Sequence, residues 1–255
     1  MTADWENFAD WPELAANTTS QRFERKYPLC VAVLDDAVKC LRSILPVHHY
    51  AGPHDWSTLR TTYLDTLDAR CFQEYLQDLP IRRKVRIRQY GVNGQVDDVC
   101  WFELKLKHES LSLKRRFCCR RQDVQPFLQG EDIIDRIGPE NDPKVRHAYK
   151  LVRQAVQDLR LLPVVRVDYE RIAFQDPNDP TLRMTLDRGL RFCSASREYQ
   201  GRLEGLVLEV KHAGDRPAWL RGLQEELGLK RMFRYSKFGR CMKRLNKLKE
   251  AEGRA

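Results

Sequence analysis

The chain has no apolar run of the roughly 18 residues a bilayer-crossing helix needs, so no membrane segment is expected. Its opening stretch, MTADWENFADWPELAANTTSQ, is acidic and lacks an apolar core, which excludes a secretory signal peptide. Eight cysteines (Cys30, Cys40, Cys71, Cys100, Cys118, Cys119, Cys193, Cys241) contain no Cys-x-x-Cys spacing, which argues against zinc. Histidine is scarce, with six in 255 residues. Low-complexity stretches, linkers and internal repeats are missing too. These absences lead us to expect a cytoplasmic protein with reduced thiols. Residues 1–20 read as a loose N-terminal tail and 21–250 as one domain.

What the chain has is basic charge. Lys and Arg number 45 against 36 acidic residues, a net charge of +9, which favours polyanionic partners. The distribution says more than the sum. KVRIRQYG, residues 84–91, alternates Lys84, Arg86 and Arg88 with Val85 and Ile87, the period of a β-strand. QRFERKYPL puts Arg22, Glu24 and Lys26 on one strand face. DVCWFELKLKH puts Glu103, Lys105 and Lys107 opposite Leu104 and Leu106. LRMTLDRGLRFC aligns Arg183, Thr185 and Asp187, and GLVLEVKH aligns Glu209 and Lys211. In PVVRVDYERIAFQ the period leaves two faces open, one with Arg166, Asp168 and Glu170, the other with Val167, Tyr169 and Arg171. VNGQ, between KVRIRQYG and DVCWFELKLKH, is a hairpin signal. Helical patterning marks 30–46, 67–79, QDVQPFLQG, PKVRHAYKLVRQAVQDLRLL, PAWLRGLQEELGL and the start of KFGRCMKRLNKLKEAEG. The fold class is therefore α+β with mainly antiparallel strands.

A solvated strand face usually mixes Thr, Ser and Gln with charge. These faces instead repeat Arg and Lys, with carboxylates interspersed. Opposed like charges cost about 0.2–1 kcal/mol per pair, a notable fraction of a marginal stability. An anionic ligand accounts for them if the charged faces point into a barrel of about eight strands, clothed outside by helices. Arg and Lys would hold phosphate oxygens there, and carboxylates a Mg²⁺ or Mn²⁺ ion. Trp56, Trp101 and Trp219 read as packing between barrel and helices.

In chain order the sequence carries FERKY, YLDT, RIRQYG, FELKLK, DYERIAF, RMTLDRGLRF, LVLEVKH and YSKFGR. In this the chain resembles the VTC domain, the polyphosphate polymerase domain of the vacuolar transporter chaperone, within the triphosphate tunnel metalloenzyme (CYTH-like) superfamily. The resemblance covers roughly residues 21–245 and is to the stand-alone bacterial-type members, which lack an SPX regulatory domain and a membrane segment. It implies an antiparallel tunnel with basic walls. It further implies transfer of the γ-phosphate of ATP to a growing inorganic polyphosphate chain, with Mn²⁺ or Mg²⁺. By that resemblance Arg86, Arg88, Arg171 and Arg183 bind and polarise the phosphates, while Lys26 and Lys105 hold the α/β end or the product. Lys114, Tyr169, Lys211, Arg234 and Lys237 complete the phosphate-binding set. Glu209 is the expected metal ligand, joined by Glu24. The expected partners are ATP, polyphosphate, triphosphate and pyrophosphate. The alternatives are a metal-dependent triphosphate or polyphosphate hydrolase and a non-catalytic polyanion binder. Nucleic acid is not expected, because RIRQYG lacks the aromatic pair of an RNA-recognition strand.

Overall fold

The computed structural model describes residues 22–49, 54–108, 111–138, 142–215, 217–230, 232 and 235–253. The expected tail, 1–20, and Arg234 lie outside the described residues. In chain order the elements are β1 (Arg22–Leu29), α1 (Leu34–Ile44), β2 (Trp56–Asp65), α2 (Arg70–Leu76), β3 (Ile81–Val92) and the short β4 (Gln95–Val96). There follow β5 (Val99–His108), β6 (Leu111–Arg120), α3 (Val124–Leu128), α4 (Pro143–Asp158), β7 (Leu162–Gln175) and β8 (Arg183–Ser194). The short β9 (Gln200–Arg202), β10 (Leu206–Ala213), α5 (Trp219–Glu226) and α6 (Lys237–Glu252) complete the chain. Among the described residues, no helix is long and apolar enough to cross a membrane.

The strands form one antiparallel sheet in the order β1-β10-β8-β7-β2-β3-β5-β6, with β4 on β3 and β9 on β8. The expected tunnel architecture is present as a half-barrel. β1 and β6 end the sheet, and it curls so that Lys105 of β5 feels Glu24 and Lys26 of β1. Two local features set its shape. Asn93 and Gly94 form the two-residue turn between β3 and β4, both at positive φ (51° and 81°), as the VNGQ signal predicts. Gly189, at φ +63°, lies where the β7–β8 ladder slips by one residue, so a left-handed residue sits where the sheet bends.

The convex face is apolar and clothed. Phe102 of β5 and Phe117 of β6 stack at 5.0 Å, with Phe127 of α3 and Tyr149 of α4 closing over them. At the other end, Ile172, Phe174, Met184, Leu186, Leu208 and Val210 are buried with α1 and α5. Strand β6 has no counterpart in the periodicity reading. LSLKRRFCCR breaks alternation, because Arg115 stands next to Lys114 and Arg116.

YLDT has a structural explanation. Asp65, fully buried, accepts from the backbone N–H groups of Thr66, Cys71 and Phe72 at 2.8–3.0 Å, and Thr66 Oγ1 accepts from Arg70 N–H. Adjacent side chains thus satisfy the first N–H groups of α2. Glu74 of α2 then grips β3, accepting from Arg83 N–H at 2.8 Å and Arg83 Nη1 at 2.5 Å.

Helix α6 packs on β7 and α2, burying Phe238, Cys241, Met242 and Leu245. Phe238 lies 5.1 Å from the Tyr63 ring. Its first turn comes so near α2 that a Cβ at Gly239 would fall 2.0 Å from the Tyr75 ring. Helix propensity alone would make Gly239→Ala stabilising by about 1 kcal/mol. The packing gives the opposite sign: a loss of about 1–3 kcal/mol, recovered in Gly239→Ala/Tyr75→Leu. Thermal unfolding of the single and double variants checks this, and strictly additive effects would refute it.

Candidate active site

Antiparallel register sets the concave face in rows. Lys84, Lys105 and Lys114 are direct neighbours across β3, β5 and β6. The next row is Arg86, Glu103 and Arg116, and the one after that Arg88, Trp101 and Cys118. Across the half-barrel, Lys26 lies opposite Glu209, Glu24 opposite Lys211, and Arg171 opposite Asp187. The Tyr169–Arg171 face of β7 is the concave one, which resolves the two readings of that strand. Trp101 stands in this face, 4.6 Å from the Arg116 guanidinium, and not between barrel and helices.

The charges collect in three groups. In the first, Lys26 reaches Glu24 at 2.6 Å and Glu209 at 3.4 Å, while Lys211 reaches Glu209 at 2.8 Å and Glu24 at 3.7 Å. Burial pushes the Glu209 carboxyl up, but Lys26, Lys211, Arg171 and Lys237 outweigh it and hold it well below its ordinary value. Glu24 is lowered too, with Lys26 and Lys211 overcoming burial and the repulsion of Glu209.

The second group is centred on Asp187, which is fully buried. It accepts from Arg171 Nε at 2.6 Å and Nη2 at 2.9 Å, and from Lys237 Nζ. Burial disfavours the charged carboxylate, and Arg171 and Lys237 more than compensate, so it stays ionised. The Tyr169 hydroxyl accepts from Arg88 Nη2 at 3.1 Å, and Lys237 lies 4.9 Å over its ring. Against its burial, Arg88, Arg171 and Lys237 draw the phenol below its usual range.

In the third group, Glu103 takes Arg86 Nε at 2.6 Å and Lys114 Nζ at 2.7 Å. Despite burial, Arg86, Arg88 and Lys114 hold it far below the ordinary carboxylate value. Much of the like-charge repulsion expected from single strands is thus offset by carboxylates on their neighbours. Arg88 is different: it donates to Thr61 Oγ1 at 3.1 Å and to Tyr169, both neutral acceptors. Arg183 stands at the margin, in register with Lys211 and beside His48.

Among the described residues no three His, Cys, Asp or Glu side chains gather as a metal cluster. Glu24, Glu103, Asp187 and Glu209 are each held by two cations. Of these, Glu24 and Glu209 lie beside each other, both ionised, and are the pair whose oxygens would suit a hard divalent cation. Lys84, Trp101 and Arg116 also stand in this concave face, beyond the site residues expected from the sequence. Lys84 was visible in the alternation of KVRIRQYG, whereas Arg116 lay in the unrecognised strand β6.

The VTC-domain family model matches residues 21–246. The chain belongs to the VTC-domain family. It is similar to vacuolar transporter chaperone complex subunit 4 of Trypanosoma cruzi, 26% identical over 158 residues, 54% of this chain and 20% of that protein. The same subunit of Trypanosoma brucei brucei is 26% identical over 156 residues, 53% of this chain and 20% of that protein. The aligned part thus amounts to a fifth of these curated relatives. Among solved structures, the PH1819 protein of Pyrococcus horikoshii is similar with a TM-score of 0.48 and 14% identity, covering 88% of this chain and 99% of that one. A Hippeastrum protein described as a putative adenylyl cyclase with a dominant triphosphatase activity gives 0.46 and 18%, over 86% and 93%.

The Asp187 group yields a direct expectation. Asp187→Asn keeps the shape but leaves Arg171 and Lys237 facing each other in a buried place. Removing one partner of a buried ion pair typically costs about 3–5 kcal/mol. Denaturant unfolding in phosphate-free buffer should show that loss, and a change under 1 kcal/mol would mean the trio is not a structural support.

Proposed function

We propose that this VTC-domain chain is a polyphosphate polymerase, moving the γ-phosphate of ATP onto a growing inorganic polyphosphate chain in its basic half-barrel. The observation that carries this reading is the convergence on one concave face of Lys26, Arg86, Arg88, Lys105, Arg171 and Lys237. Phosphoryl transfer asks mainly for positioning and charge neutralisation. Arg88, held by neutral acceptors, keeps its full charge for an incoming phosphate. Arg86 and Arg171 present guanidinium groups braced by Glu103 and Asp187, so they are oriented before substrate arrives. Lys105, Lys114 and Lys211 line the path for the rest of the chain, and Lys26 lies beside Glu24 and Glu209. Glu24 and Glu209 would hold a Mg²⁺ or Mn²⁺ ion, whose contribution would be to neutralise phosphate charge. The acceptor is itself an anionic phosphate, so no strong general base is required, in keeping with the scarcity of histidine.

The deciding assay supplies ATP with Mn²⁺ or Mg²⁺ and follows inorganic phosphate and long-chain polyphosphate separately. Polymer formation is the expected result. Phosphate without polymer would make the chain a hydrolase, and neither product a binder. Arg88→Ala should lower turnover by about 10²–10³ with little loss of stability, because no carboxylate is left unpaired. The structure makes Arg86→Ala a poorer probe, since it strips Glu103 of one of its two cations. Wild-type turnover in Arg88→Ala would remove that residue from the site.

Glu209→Gln tests the metal assignment. It should abolish metal-dependent turnover while tripolyphosphate still binds in the absence of metal. Retained turnover in this variant would place the ion elsewhere.

A further inference from the structure

The row Lys84–Lys105–Lys114 lines up three lysine amines on adjacent strands, a costly arrangement if all are charged and nothing relieves them. Lys114 finds relief in Glu103 at 2.7 Å. Lys84 has no such partner: among the described residues its polar contact is Ser236 Oγ at 3.2 Å, and no carboxylate lies within ion-pair reach. Ser236 is already engaged as the N-cap of α6, accepting from Gly239 N–H. The amine is closed in from each side. β1 contributes Lys26 and Glu24, β5 contributes Lys105, and β3 itself contributes Arg86. From α2 and α6 come the rings of Tyr75 and Phe238, each 6.0 Å away. The segment before α6 places the Tyr235 carbonyl on Lys26 at 3.4 Å, not on Lys84. Three cations thus face Lys84 against one carboxylate, and Glu24 is bound to Lys26 at 2.6 Å.

We propose that Lys84 is a further anchor for the polyanion, one that binds phosphate oxygens by taking up a proton from solvent as they arrive. This rests on the reading that the concave face holds polyphosphate. In the unliganded protein, burial first and then Lys26, Lys105 and Arg86 hold the amine down to about 7, so at pH 8 it is mostly neutral. A phosphate chain laid along the row reverses the sign of the local field, and the ammonium form becomes the favoured one. By linkage, a group that gains a proton on binding makes affinity fall as pH rises above its free-state value. Lys84 therefore makes binding stronger near pH 7 than near pH 9, by up to about tenfold per unit where it is the responding group. The device avoids three charged lysines side by side when no ligand is present.

The test is isothermal titration calorimetry of tripolyphosphate into metal-free wild-type protein and Lys84→Arg, at pH 8, in buffers of different ionisation enthalpy. Arginine keeps its charge throughout, so it cannot take up the proton. Titration of the ligand itself is common to both proteins and cancels in the difference. Wild type should take up close to one proton more per tripolyphosphate bound than the variant. Its affinity should fall between pH 7 and pH 9 more steeply than that of Lys84→Arg. Lys84→Met, with an unfolding curve to show that it is folded, should bind about tenfold or more weakly. Equal proton uptake in wild type and Lys84→Arg would overturn the role of Lys84 and leave the polyphosphate reading standing. No binding of tripolyphosphate by the wild type would overturn that reading, and this inference with it.

Discussion

The concave face gathers cations densely, and it must fold with no anion there to relieve their repulsion. Carboxylates on neighbouring strands reconcile the two demands. Glu103 holds Arg86 and Lys114, Asp187 holds Arg171 and Lys237, and Glu24 with Glu209 holds Lys26 and Lys211. Around Glu103 and Asp187 every pairing joins different strands or a strand and α6, and between β1 and β10 Lys26 reaches Glu209 and Lys211 reaches Glu24, so contacts that hold the charge also tie strands together. The desolvation of these ions is substantial, and their attraction covers it only because geometry and secondary hydrogen bonds are good. Two of the cations outside these pairs, Arg88 and Lys84, are held by neutral hydroxyls.

The scaffold around this face is built to keep it rigid. Aromatic stacking of Phe102, Phe117, Phe127 and Tyr149 fastens β5 and β6 to α3 and α4 on the convex side. Asp65, Thr66 and Glu74 fasten α2 to the end of β2 and the start of β3. Helix α6 fills the concave side at one end and delivers Lys237 to Asp187. With the backbone fixed on both sides, a guanidinium such as Arg171 has little freedom left, which is what a preoriented anion site needs.

Much of this was legible in the sequence, because a strand face is written with period two. Lys84, Arg86 and Arg88, or Lys105 with Leu104 and Leu106, could be sorted to the correct sides from the letters alone. β7 could not, since both of its faces carry charge; contacts from Arg88 to Tyr169 and from Arg171 to Asp187 decide it. β6 was missed because KRRFCCR has cations on consecutive residues, so one of them, Arg115, lies off the charged face. The alternation could reveal neither which carboxylate serves which cation nor that YLDT is a helix cap. Pairing across strands depends on register, and register is fixed by turns and bulges such as Asn93–Gly94 and Gly189. Trp101 is a different case: the alternation that puts Glu103 and Lys105 on the charged face puts Trp101 there too, and its place opposite Arg88 agrees.

The hydrogen bond from Lys26 to the Tyr235 carbonyl joins residues 209 positions apart. Among the described residues β1 pairs with β10, which follows it late in the chain, and the Lys26 side chain is completed by the segment leading into α6. A nascent chain therefore carries β1 without its partner until β10 has been made. Non-local pairing of this kind slows folding and prolongs the exposure of strand edges. The cations on that strand keep it from sticking to other chains meanwhile, as charge on an edge strand does. The charge that crowds the concave face of the folded protein thus also marks a strand edge while its partner is still missing.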